Sequence, residues 1–159
     1  MHFYKIAGAM ILVLSGCAGA WFMNSAASRS LSQTEAFISF LRFVRIQIEC
    51  FAMPAGEIIL RCDRTLLEEC GLRGEPLPTT LDELVGRCAV RDSEVGEILR
   101  GFASSFGKGY RDEQLRECDY YLGLLCDRRQ KMSEELPKKK KLNSTLCICW
   151  ALALVILFL

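Results

Sequence analysis

The chain has 159 residues, 51% of them hydrophobic and 25% charged, with Lys+Arg 20 against Asp+Glu 19 for a formal net charge of +1. That length allows one domain and excludes a multi-domain enzyme, and the near-zero net charge supplies no overall field to attract nucleic acid. So many apolar residues beside so many charges implies that the two kinds are segregated, and the apolar ones gather at both ends of the chain.

From Ile6 to Met23 there is no charged residue. As a helix this stretch rises about 27 Å, close to the roughly 30 Å of a bilayer's hydrocarbon core, so it is long enough to span. The C-terminal run Leu146 to Leu159, LCICWALALVILFL, is shorter, but Leu142, Asn143, Ser144 and Thr145 extend it to spanning length. All 19 acidic residues and every basic one except Lys5 lie between the two segments. The reading is therefore an N-terminal transmembrane anchor over 1–27, a water-exposed domain over 28–141 and a C-terminal transmembrane helix over 142–159.

Orientation follows from the basic residues at the span ends, because these resist translocation. Lys138, Lys139, Lys140 and Lys141 precede the second span and Arg29 follows the first, which places the middle domain in the cytoplasm and both termini on the opposite side. The four lysines read as a membrane-interface cluster rather than a nucleic-acid patch, since they abut an apolar tail and include no aromatic residue. A competing reading comes from Leu14-Ser15-Gly16-Cys17, which looks like a bacterial lipoprotein cleavage box; it would make Cys17 a lipidated first residue and the rest an exported binding module.

The middle domain reads as helices. Ser28 or Ser30 can cap a first helix whose apolar positions Phe37, Phe40, Leu41, Val44, Ile48 and Phe51 share one face of a 3.6-residue period. Pro54 can start a second helix, its stripe running through Ile59, Cys62, Leu66 and Cys70 until Gly71 ends it. Residues 71–79, GLRGEPLPT, form a loop. Thr80 and Glu83 have capping-box spacing for a third helix, and Asp92 or Ser93 can cap a fourth that carries Ile98, Leu99, Phe102 and Phe106. After Gly107-Lys108-Gly109 a long last helix begins near Asp112, with Leu115, Cys118, Leu122, Leu125, Met132 and Leu136 in register and Pro137 expected to kink or interrupt it. The fold class is all-α, an antiparallel helical bundle flanked by the two apolar helices.

Residues for chemistry are scarce. Nine cysteines invite a disulfide or metal reading, but no C-x-x-C pair occurs and the only histidine is His2, so zinc spacing is missing. Cys62, Cys118 and Cys126 occupy apolar helix positions, where a thiol acts as a small hydrophobe. Gly101 to Lys108 has G-x5-G-K spacing, one residue too long for a phosphate loop, and Gly109 stands where a hydroxyl is needed. Paired acids such as Glu68-Glu69 and Asp82-Glu83 sit at helix ends, where they complement the helix dipole. No catalytic, metal or cofactor site is assigned, and a non-enzymatic docking or scaffolding role suits the pattern; a membrane-bound thiol enzyme stays as the alternative the cysteine count suggests.

The order of features resembles the stage III sporulation protein AB family of endospore-forming bacteria. The stretches that carry the resemblance are Arg45-Ile46-Gln47-Ile48-Glu49 followed by Pro54, Gly56 and Glu57-Ile58; Phe106-Gly107 with Asp112 and Gln114; and Lys140-Lys141-Leu142 through Ser144 and Leu146 into Val155-Ile156-Leu157. Cys147, Cys149 and Trp150 replace the family's glycine-rich tail, and Phe51-Ala52-Met53 replaces the polar turn before its proline. The resemblance implies a soluble part similar to the F-type platform domain of type II secretion systems. It further implies a place in the mother-cell half of a channel complex, with other membrane proteins of that complex, the lipid bilayer and a cytoplasmic secretion-type sporulation ATPase as partners. Arg42 and Arg45 on the first helix, and Glu113, Arg116 and Glu117 on the last, are the partner-facing candidates.

Overall fold

The computed structural model describes the backbone of residues 2–51 and 53–158. Side chains are described from 24 to 142 except Ala52 and Ala55, and also for Gly19, Trp21, Phe22, Thr145, Leu146, Cys149, Trp150 and Ala153. Among the described residues six helices follow one another: α1 (His2–Phe51), α2 (Ala55–Arg61), α3 (Arg64–Glu69), α4 (Leu81–Arg87), α5 (Ser93–Ser105) and α6 (Arg111–Phe158). No strand occurs among the described residues. The chain divides into two compact units, one of residues 30–131 and one of residues 1–29 with 132–159.

In the 30–131 unit, α1 turns Phe37, Phe40, Leu41, Val44 and Ile48 into the core, each nearly inaccessible to solvent. These are the positions that a 3.6-residue period puts on one face. Phe51, expected on the same face, is 60% exposed, because the helix ends there and the residue has run past the core. Leu99 and Phe102 of α5 and Cys118 and Leu125 of α6 join the same cluster, and the Tyr121 ring meets Phe102 edge-on with centroids 5.6 Å apart. Two ion pairs across the α1–α6 seam set the direction of packing: Arg45 to Asp119 at 2.7 Å and Glu35 to Arg129 at 2.8 Å. A residue further along α1 pairs with one earlier in α6, so the helices are antiparallel. Both pairs are partly solvated and therefore screened, so the apolar face holds the bundle and the charges select its register.

The second helix expected from Pro54 to Cys70 is two short ones. The break falls at Cys62, whose backbone is extended (φ −69°, ψ 143°), and Asp63 then caps α3 by accepting from the Thr65 amide at 3.0 Å. An apolar stripe reads straight through such a break because Cys62 and Leu67 still face the core on either side of it. At the end of α3 the Leu72 amide bonds the Leu67 carbonyl at 3.0 Å and the Gly71 amide bonds Glu68 at 2.9 Å. This is the Schellman pattern, with Gly71 at φ 99° in the left-handed position that glycine adopts freely.

The loop after Gly71 is pinned by two arginines. Arg87 donates to the Pro76 carbonyl at 2.6 Å, and Arg64 pairs with Glu75 at 2.5 Å. The capping box appears as expected at α4: Thr80 accepts from the Glu83 amide at 3.2 Å, and the Glu83 carboxylate reaches back to the Thr79 amide at 3.0 Å. Asp92, not Ser93, caps α5, accepting from Val95 at 3.0 Å.

Two expectations change. No cap interrupts α1 at Ser28 or Ser30; instead the Ser30 carbonyl accepts from Thr34 Oγ1 at 3.0 Å inside the helix. Pro137 does not end α6, which is helical on both sides of it. The apolar segments have helical backbone from Ile6 to Met23 and from Leu142 to Phe158, but most of their side chains, Cys17 among them, lie outside the described residues. Among the described residues, no helix is long and apolar enough to cross a membrane. In the unit of residues 1–29 and 132–159, Trp21 and Phe22 are exposed, with the Arg29 guanidinium 5.9 Å from the Phe22 ring centroid, and Lys139 pairs with Glu135 at 2.7 Å.

Candidate interaction surface

The residues singled out from the sequence divide by what they touch. Arg45 is committed internally, bonding Asp119 and, at 2.7 Å, Glu49 one turn on. Glu113 is the reciprocal cap of α6, accepting from the Tyr110 amide at 3.1 Å. Arg42 and Arg116 are exposed and, among the described residues, form no ion pair; Glu117 is half-buried on the same helix as Arg116. Arg42 and Arg116 therefore remain available to a partner, whereas Arg45 and Glu113 cannot be recruited without breaking a bond the fold uses. Lys138, Lys139, Lys140 and Lys141 are all exposed.

Sequence reading missed a buried clasp that organises one side of the bundle. Gln33, only 7% exposed, donates from Nε2 to the carbonyls of Cys70 at 2.9 Å and Ala89 at 3.0 Å, and its Oε1 accepts from the Arg91 amide at 3.0 Å. One side chain thus joins α1 to the ends of α3 and α4. Its fit depends on Gly71: a Cβ there would lie 2.7 Å from Gln33 Nε2. A second device is Arg111, whose guanidinium donates to the Ile48 carbonyl at 3.3 Å and to the Glu49 carbonyl, placing a cation on the free carbonyls at the end of the α1 ladder. A third is Arg128, bidentate to Asp92 with a shortest distance of 2.7 Å and 2.9 Å from Glu94. The Arg128 guanidinium, with the α5 amides, holds the Asp92 carboxyl below the usual carboxylate range.

The thiols of the core are quiet. Burial raises Cys62 and Cys88 to about 11 and Cys118 to about 12, and raises Cys70 further still. The thiolate is the reactive species, so these sulfurs are weak nucleophiles at neutral pH. Cys50 and Cys149 are exposed, and no disulfide joins the described cysteines. Among the described residues no group of three or more His, Cys, Asp or Glu could hold a metal ion.

Where α1 ends and α6 begins, the bundle carries a groove of about 590 Å3. Its apolar wall includes Ile48, Met53, Leu81 and Phe106, and its polar lining includes Asp82 and Arg111. Phe51 and Tyr110, 60% and 86% exposed, are the residues at which α1 stops and α6 is about to start. Nothing in the sequence marks this groove, because its walls come from five separate stretches of chain.

No curated protein and no solved structure matches the chain. The model of the stage III sporulation protein AB family does, over residues 73–159, which is more than half of the sequence and takes in the loop after Gly71 and all of α4, α5 and α6. An all-helical chain with this match belongs to the stage III sporulation protein AB family, and its role is in sporulation.

Proposed function

We propose that this protein is a non-enzymatic membrane platform of the channel complex between mother cell and forespore. The 30–131 bundle stands on the cytoplasmic, mother-cell side and docks a secretion-type sporulation ATPase. The apolar ends of α1 and α6 cross the bilayer, and Lys138 to Lys141 lie at its cytoplasmic surface, where anionic lipid attracts each lysine by about 1 kcal/mol.

The observation that carries this reading is how the polar side chains of the bundle are spent. Its core thiols are buried and protonated, and its conspicuous ion pairs tie α1, α5 and α6 to one another. A rigid helical surface with exposed Arg42 and Arg116 suits the binding of another protein better than it suits turnover. Co-purification of the ATPase with the full-length chain, wild type and Arg42→Glu/Arg116→Glu, tests the proposal. The wild type is expected to retain the ATPase and the double variant to lose most of it; absence of capture by the wild type in membranes that contain both proteins would refute docking.

A further inference from the structure

The groove between α1, α4, α5 and α6 has a charge pattern that none of the roles above uses. Its floor is apolar, with Met53 and Phe106 only partly covered by the core. Around it the acids outnumber the bases. Asp82 lines it, Asp112 follows the lining residue Arg111, and Glu57 is exposed on the turn that Pro54 opens. None of these three carboxylates forms an ion pair among the described residues. Glu83 and Glu113 add two more negative charges while capping backbone amides. Against these five acids stand Arg87, which pairs with Glu83 at 3.5 Å, Lys108 and Arg111, and Arg111 is turned to the carbonyls of Ile48 and Glu49. The bundle thus presents an oily slot inside a negative rim, with the exposed Phe51 and Tyr110 close in sequence to its lining residues Met53 and Arg111.

We propose that this groove receives a basic amphipathic segment of a partner protein, with apolar side chains on Met53, Leu81 and Phe106 and its Lys or Arg residues against Glu57, Asp82 and Asp112. Burying the apolar stripe supplies affinity, and the acidic rim selects a basic partner and repels an acidic one. This deepens the docking reading, on which it rests for the existence of a protein partner.

The test uses the full-length chain in nanodiscs of zwitterionic lipid, with empty discs as background, and two labelled synthetic helices, one of leucine and lysine, the other of leucine and glutamate. The wild type is expected to bind the lysine peptide above background and not the glutamate peptide. Asp82→Lys/Asp112→Lys should weaken that binding about tenfold or more, as should Met53→Lys, which puts a charge on the floor. Circular dichroism confirms the fold; should a reversal unfold the chain, Asp82→Asn/Asp112→Asn is expected to weaken binding in the same direction. Binding no better than empty discs, equal binding of the glutamate peptide, or unchanged affinity in folded variants would overturn the proposal. ATPase capture by the same discs is read separately. Capture that persists in the variants while peptide affinity is unchanged overturns the groove and leaves docking intact; no capture by the wild type, with peptide binding as expected, refutes ATPase docking alone.

Discussion

Replacing Gln33 by alanine strikes the bundle where one side chain does the most. The substitution orphans the Cys70 and Ala89 carbonyls and the Arg91 amide, held at 2.9, 3.0 and 3.0 Å. Cys70 is fully buried, so its carbonyl loses its partner without gaining water, at a cost of about 2 kcal/mol. Ala89 and Arg91 are near solvent, and the loss of each bond costs roughly 0.5–1 kcal/mol. The sum is about 3 kcal/mol, which for a unit of this size lowers the midpoint of thermal unfolding by about 12–24 °C. Circular dichroism melts of the full chain in detergent measure it. Gln33→Glu sharpens the test, since it keeps the size and the bond from Arg91 but turns a carboxylate toward two carbonyls. It should be at least as destabilising at neutral pH and recover as the pH falls, because a protonated carboxyl can again donate. A Gln33→Ala melt within about 0.5 kcal/mol of wild type, or Gln33→Glu as stable as wild type at neutral pH, would refute the clasp.

Gly71→Ala should cost about 2 kcal/mol or more, from the left-handed backbone at φ 99° and the close approach to Gln33, and less in a Gln33→Ala background; a double-mutant cycle on the melts reads that coupling. Asp92 is held below its ordinary range by Arg128, so its contribution is present at neutral pH and lost as the pH falls through the depressed value. Asp92→Asn, which keeps a capping oxygen, should therefore lower stability at neutral pH and converge with wild type in strong acid, as melts across pH will show. Iodoacetamide at pH 8 followed by mass spectrometry should label Cys50 first and leave Cys62, Cys70, Cys88 and Cys118 unmodified until denaturant is added, since a thiol near 11 is ionised at roughly one part in a thousand there.

Periodic signals were legible in the sequence. The apolar faces of α1 and α6, the Thr80–Glu83 box, the Asp92 cap and the Gly71 stop all rest on residues three or four apart, and the structure has each of them. What sequence could not show depends on distance along the chain. Gln33 bonds partners 37 to 58 positions away, and Arg111 caps a helix that ended 60 residues earlier. A lone glutamine on a helix reads as surface until the carbonyls it meets are known. The break at Cys62–Asp63 escaped because the stripe continues across it, although Asp63 before Arg64-Thr65 carried the signal of a cap. Of the partner-facing candidates, Arg45 and Glu113 were attractive because charged, and that charge turns out to serve the fold.

The central claim is that the bundle sits on the cytoplasmic face of a membrane, fastened at both ends. Trypsin tests it directly, because Lys138 to Lys141 are exposed and the bundle is rich in arginine. Added outside intact spheroplasts, the protease should remove no more than the first five residues at Lys5; added to inverted membrane vesicles, it should cut at the lysine run and at the exposed Arg29 and so release the bundle. Cleavage beyond Lys5 from outside the spheroplasts, or recovery of the uncut chain in the soluble fraction of broken cells, would contradict the account.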